Sequence, residues 1–118
     1  MVSGALDTLK QEFADCATLA FADVSTKMVL VTDTTSNQPR EAIDRLCAEA
    51  AVLLGQDGRA ALGEGAATMA MATHGDRLHI FLRASNDPTD ILCCNCSAQI
   101  PVVDFLNAAR NTLEQISN

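Results

Sequence analysis

The chain contains no tyrosine and no tryptophan, and only four phenylalanines among its 118 residues. Its core must therefore be built from Leu, Ile, Val, Met, Cys and Ala, which favours thin side-chain layers and close packing of elements. The shortage also removes the aromatic platform on which bases stack. Basic residues are scarce too: eight Lys and Arg face 15 Asp and Glu, for a formal net charge of -7, and Lys10 and Lys27 are the only lysines. Such a surface repels polyphosphate and excludes nucleic acid as an expected partner, whereas a basic protein surface suits it. No run reaches the ~20 apolar residues that span a bilayer. Neither G-x-x-x-x-G-K-[ST] nor G-x-G-x-x-G occurs, and Asp57 and Glu64 oppose phosphate in the glycine-containing stretches 55–58 and 63–65. Those glycines read as a helix stop at Gly55 and a connection to Gly65.

Five cysteines cannot all pair within one chain, and their spacing is not that of a secreted disulfide framework. With Met1-Val2-Ser3-Gly4 lacking a basic n-region and an apolar h-region, the expectation is a cytoplasmic protein. A hydrophobic fraction of 48 % lies well above that of disordered chains. One folded domain, residues 1–118, is expected.

Three cysteines crowd into the segment Ile91-Leu92-Cys93-Cys94-Asn95-Cys96. This run, bounded by Asp87-Pro88 and Ile100-Pro101, reads as a central strand. Alternation then sends Cys94 and Cys96 to one face and Cys93 to the other. A zinc site would need His74, His79, Cys16 or Cys47 to converge on Cys94 and Cys96, whose spacing is tighter than the usual C-x₂₋₄-C pair. A redox pair of Cys93 and Cys96 would need a bulge to bring them to one face. Buried small apolar side chains are the favoured role.

Elsewhere, Leu6, Leu9 and Phe13 predict a first helix over about residues 4–15, with Ser3 available as its N-cap. Residues 16–23 and Met28–Thr32 form a hairpin across the turn residues Asp23–Lys27. Polar residues 33–38 lead to Pro39, which opens a second helix whose face is Ile43, Leu46, Cys47, Ala50, Leu53 and Leu54. Residues 66–73 read as a strand that forms a hairpin with Arg77–Arg83 through His74-Gly75-Asp76. Pro101 opens a last helix with Val102, Val103, Leu106, Ala109, Leu113 and Ile116 as its stripe. The expected fold is α+β: a five-stranded antiparallel sheet with three helices, in the order α-β-β-α-β-β-β-α.

That order, the small-residue strand Thr18-Leu19-Ala20-Phe21-Ala22-Asp23 with its partner Met28-Val29-Leu30-Val31-Thr32-Asp33, and the long helix from Pro39 to Leu54 resemble the Roadblock family of dynein light chains and its bacterial relatives. Profilin-like, longin and PAS-type folds share parts of the topology. The Roadblock resemblance implies a noncatalytic module that homodimerises through its central helix and an edge strand, and that regulates or scaffolds Ras-like small GTPases or signalling complexes. On this chain the implied dimer surface is Ile43, Leu46, Cys47, Ala50 and Leu54 with Ala67, Met69, Met71 and Thr73. The strand segment has no charge, Pro or Gly to discourage pairing.

No catalytic, cofactor-binding or metal-ligating residue is expected. Asp23 and Asp87 read as turn formers, and nothing brings Asp23, Asp33, Asp87 and Asp90 together for acid–base work. His74 is expected on the surface of its turn. His79 shares a face with Phe81 and Arg83, read as the more accessible side, where a strand-to-strand contact with Cys94 would be a bare nucleophilic pair without an oxyanion site. Glu41 and Arg45 suit an i,i+4 pair on the polar side of the second helix, which also carries Arg40, Asp44 and Glu49. The alternative function is a profilin- or PAS-like sensor with a small ligand in an apolar cavity lined by Met69, Met71 and cysteines.

Overall fold

A computed structural model describes residues 2–33, 39–54 and 68–117. The elements are α1 (Val2–Glu12), β1 (Cys16–Asp23), β2 (Met28–Thr32), α2 (Arg40–Leu54), β3 (Met69–His74), β4 (Arg77–Arg83), β5 (Asp90–Ser97) and α3 (Val102–Ile116). They follow the expected order. The strands form one antiparallel sheet, β2-β1-β5-β4-β3, so the cysteine-rich strand lies in the middle.

Each face of the sheet has its own core. Leu92, Cys94 and Cys96 of β5 join Leu19 of β1 and Leu78, Ile80 and Leu82 of β4 beneath Leu6 and Leu9 of α1 and Phe105, Ala109 and Leu113 of α3. On the opposite face, Ile91 and Cys93 lie with Ala20, Ala22, Val29 and Phe81 beneath Ile43, Leu46, Cys47, Ala50 and Leu54 of α2. The predicted division of the cysteines therefore holds. Small side chains at Ala20, Ala22, Cys47, Ala50 and Cys93 produce the thin layer that a chain poor in aromatics demands, and each is fully buried.

Two irregularities correct strict alternation. The β1–β2 register shifts between Phe21 and Ala22, leaving Leu30 as the extra residue between Val29 and Val31. Val29 thereby packs beneath α2 while Val31 packs toward α1 and α3. A second shift, between Cys16 and Thr18, places Cys16 beside Cys96 in the α1–α3 core although Ala20 and Ala22 face α2. Inserting a single residue into a ladder re-aims the neighbouring side chains in this way.

Several expected boundaries move. α1 ends at Glu12 and already includes residue 3, so Ser3 is not its N-cap. After it, a tight turn carries the chain into β1, with the Phe13 N–H bonded to the Leu9 carbonyl at 3.1 Å and the Cys16 N–H to the Phe13 carbonyl at 2.9 Å. On α3, Val103 is 72 % exposed, whereas Phe105, absent from the predicted stripe, is fully buried and meets Phe13 edge-on at 5.2 Å. The β4 face that carries His79, Phe81 and Arg83 is covered by α2 rather than open to solvent: Phe81 is fully buried and Arg83 is 2 % exposed. The Asp23 and Asp87 side chains do shape turns. Asp23 accepts from the Ser25 N–H at 2.9 Å and hydroxyl at 2.6 Å, and Asp87 from the Thr89 N–H at 3.1 Å and hydroxyl at 2.8 Å. Pro39 accepts the first bonds of α2, from Ala42 and Ile43. The expected stop at Gly55, the connection to Gly65 and the start of the third strand at Ala66 and Ala67 lie outside the described residues.

One ion pair ties α1 to the first hairpin. The buried Asp33 carboxylate accepts from the Leu19 N–H at 3.0 Å and from Lys10 Nζ at 3.0 Å, and the same ammonium donates to the Ala17 carbonyl at 2.9 Å. Asp33 thus extends the β1–β2 ladder with a side chain. A buried charge left without its partner is costly, so Lys10→Met is expected to lower stability by about 3 kcal/mol, read by urea unfolding. Adding Asp33→Asn, which keeps an oxygen for Leu19 while removing the charge, should recover part of that loss. A negligible effect of Lys10→Met would show that the carboxylate is satisfied by its other partners.

Candidate functional site

The β3–β4 hairpin turns through two residues, with His74 paired to Arg77 and Ala72 to His79. Gly75, first of the two, has φ 63°, while Asp76 has no positive φ, the pattern a type II′ turn requires. Because the turn is this short, His74 and His79 lie diagonally on one face, their ring centroids 4.4 Å apart. The face is the one beneath α2, and Glu49 of that helix reaches both rings. Its Oε2 lies 2.7 Å from His74 Nε2 and its Oε1 2.7 Å from His79 Nδ1. Both histidines of the chain thus meet one carboxylate.

Burial opposes ionisation of Glu49, but the hydrogen bonds from His79 and His74 outweigh it and hold the carboxyl below its ordinary range. A cleft of about 380 Å³ opens in front of the group, lined also by Thr18, Asn95, Ala42, Ile43, Arg45 and Leu46. Asn95 is fixed there by Arg77, whose Nε donates to its Oδ1 at 3.0 Å and whose Nη2 donates to its carbonyl at 3.3 Å. On the exposed side of α2 the i,i+4 pair is Arg40 with Asp44 at 3.2 Å, while Arg45, expected to pair with Glu41, faces the cleft.

Sequence reasoning missed this convergence. His74 is half-exposed in its turn, as expected, but His79 stands opposite Asn95, and Cys94 stands opposite Ile80 on the other face. The considered His79–Cys94 pair is therefore not assembled. Two histidines flanking a two-residue turn were a usable signal; the helical Glu49 was not, since only the tertiary fold brings it across.

No protein-family profile matches the sequence, and no curated protein matches it in sequence. Structural likeness is extensive. A Roadblock/LC7 domain from Streptomyces avermitilis superposes with a TM-score of 0.76 at 10 % identity, covering 98 % of this chain and 93 % of that one. MglB of Myxococcus xanthus gives 0.71 at 13 %, covering 98 % and 93 %. The gliding protein MglB of Thermus thermophilus gives 0.72 at 14 %, covering 96 % and 83 %. The chain has the Roadblock/LC7 fold.

Within this Roadblock fold the residues expected at a dimer surface divide into two groups. Ile43, Leu46, Cys47, Ala50 and Leu54 pack onto their own sheet, each at most 7 % exposed, so the apolar stripe of α2 serves the protomer's core. The outward side of the helix instead presents Val52, 74 % exposed, and Leu53, 40 % exposed, so Leu53 lies off the buried stripe expected for it. Met69, Met71 and Thr73 do stand exposed on the edge strand, and Ala67 lies outside the described residues. Arg83 links the two regions. Its guanidinium caps α2 at the Leu54 carbonyl and reaches the Pro88 carbonyl, while its N–H bonds to the Thr68 carbonyl just before β3. A cation at a helix C-terminus is favourably placed against the helix dipole.

All five cysteines are buried and reduced. Cys16 neighbours Cys96 in one core and Cys47 neighbours Cys93 in the other, so no thiol set converges with the histidines. The Cys47 contact and burial push the Cys93 thiol far up; burial raises Cys94, and the Cys16 contact followed by burial raises Cys96. Thiolate is the reactive form, so these groups are inert in the folded state. Cys47 departs from this pattern, its thiol being lowered chiefly by the contact with Cys93. In the native protein Cys93, Cys94 and Cys96 should therefore show no fast reaction with a soluble disulfide reagent, and all five thiols should react on unfolding. Rapid modification of Cys93 or Cys96 without unfolding would contradict that placement.

Proposed function

We propose that the protein is a noncatalytic, homodimeric regulatory or scaffold module of the cytoplasm, acting on a small Ras-like GTPase or a signalling complex. The observation that carries this reading is the β3 edge. No strand among the described residues lies beyond β3, and its segment Met69–Thr73 has neither charge nor proline to block addition of a further strand. Met69 is 40 % and Met71 45 % exposed, and the Arg83 anchor holds the outward Val52 and Leu53 at the end of α2 near the start of this strand. A second copy related by a two-fold axis would continue the sheet through β3, with the ends of α2 flanking the junction.

The GTPase or signalling partner is what the Roadblock resemblance implies, and the structural likeness to MglB proteins supports it; one MglB structure is described as having a tetrameric arrangement. The acidic balance of the chain favours a basic patch on that partner. Among the described residues no helix is long and apolar enough to cross a membrane.

The sensor alternative receives less support. Met69 and Met71 stand at an exposed edge and the cysteines are packed inside the two cores, so these residues do not line one cavity.

Light scattering on the purified chain should give twice the protomer mass of 12.5 kDa. Met71→Lys, which puts a charge on the pairing edge without touching either core, should shift the protein to the monomer mass with its circular dichroism unchanged. A wild-type monomer at high protein concentration would overturn the dimer.

A further inference from the structure

Metal-binding side chains collect away from the cysteine-rich strand. One donor atom from each of Glu49, His74 and His79 lies within 4.8 Å of the others. We propose that these three side chains bind a divalent transition-metal ion, with zinc the ion that their donor set suits.

Two imidazole nitrogens and one carboxylate oxygen form the three-ligand set of open zinc sites, in which a fourth position is left to water or another ligand. Magnesium and calcium instead prefer shells of oxygen, which this group does not supply. The geometry is close to what an ion needs. Each N···O contact is 2.7 Å with a hydrogen between the atoms. A tetrahedral ion with bonds of about 2.0–2.1 Å holds its ligands roughly 3.3 Å apart. The rings meet different oxygens of Glu49, so a single ion needs the two ring nitrogens, within 4.8 Å of each other, to draw together by up to about 1.5 Å while the N···O contacts widen by about half an ångström, changes that rotations of the His74 and Glu49 side chains supply. His74, at 52 % side-chain exposure, is free of the core packing that would resist it.

The surroundings favour an open site over a mere surface ion pair. The cleft of about 380 Å³ gives room for the fourth ligand, and Thr18 and Asn95 line its wall. The ligands also come from two elements, α2 and the β3–β4 hairpin. A bound ion would therefore clip the helix to the hairpin whose outer strand is the open edge.

The test uses chelator-treated full-length protein without a polyhistidine tag, titrated with Zn²⁺ by calorimetry. The expected result is one ion per chain and a concentration-dependent rise in melting temperature. His74→Ala, at a half-exposed position where folding is retained, and Glu49→Gln should each weaken binding by at least about tenfold. Co²⁺ substitution should give a spectrum without thiolate charge-transfer bands, excluding the cysteines as ligands. No uptake, uptake undiminished in a His74→Ala/His79→Ala double variant, or a thiolate-type cobalt spectrum would each overturn the proposal. None of these outcomes depends on the dimer or its partner.

Discussion

A strand can occupy the middle of a sheet covered on both faces only if neither set of its side chains needs water, and β5 meets that condition. Ile91, Leu92, Cys93, Cys94 and Cys96 are fully buried, alternating between the α1–α3 core and the α2 core. The backbone of β5 is paired on both sides, to β1 and β4. Cysteine suits such a position because it is small, apolar when protonated, and little hydrated. Larger residues at Cys93 and Cys94 would push apart helix layers that are thin by composition. The remaining architecture follows from this strand: two layers of helix, two separate cores and, among the described residues, sheet edges at β2 and β3.

The division of labour within α2 follows as well. One side of the helix is used on the sheet through Ile43, Leu46, Cys47, Ala50 and Leu54. A second side, through Glu49, faces the hairpin histidines. The third carries Val52 and Leu53 to the surface near the β3 edge. A single helix thus connects the core, the polar cleft and the surface proposed for self-association. Arg83 fixes its end through backbone carbonyls, which makes a buried charge a structural anchor.

The local pattern was legible wherever period and punctuation agreed. Alternation in Leu78–Leu82 and Ile91–Cys96, the prolines at 39 and 101, and the glycine at 75 located the strands, the helix starts and the tight turn. Features that depend on one inserted residue were not legible: nothing in Val29-Leu30-Val31 or Cys16-Ala17-Thr18 announces that a ladder shifts there. Nor were long-range polar contacts, since Lys10 with Asp33 and Glu49 with His79 are separated by 23 and 30 positions. The dimer assignment illustrates a different limit. An apolar helical stripe looks the same whether it will pack on its own sheet or on another chain, and at Ile43 and Leu46 it is the protomer's own core that takes it.

Among the described residues, an edge strand at β3 is set against a closed centre at β5. Amide hydrogen exchange at high and low protein concentration tests this most directly. Protection of the Met69, Met71 and Thr73 amides, which point away from β4, should fall on dilution as a paired copy is lost, while the Ala70 and Ala72 amides that face β4 and the β5 amides from Ile91 to Cys96 stay protected throughout. Protection of Met69, Met71 and Thr73 that is independent of concentration, or absent at every concentration, would contradict an edge closed by a second copy.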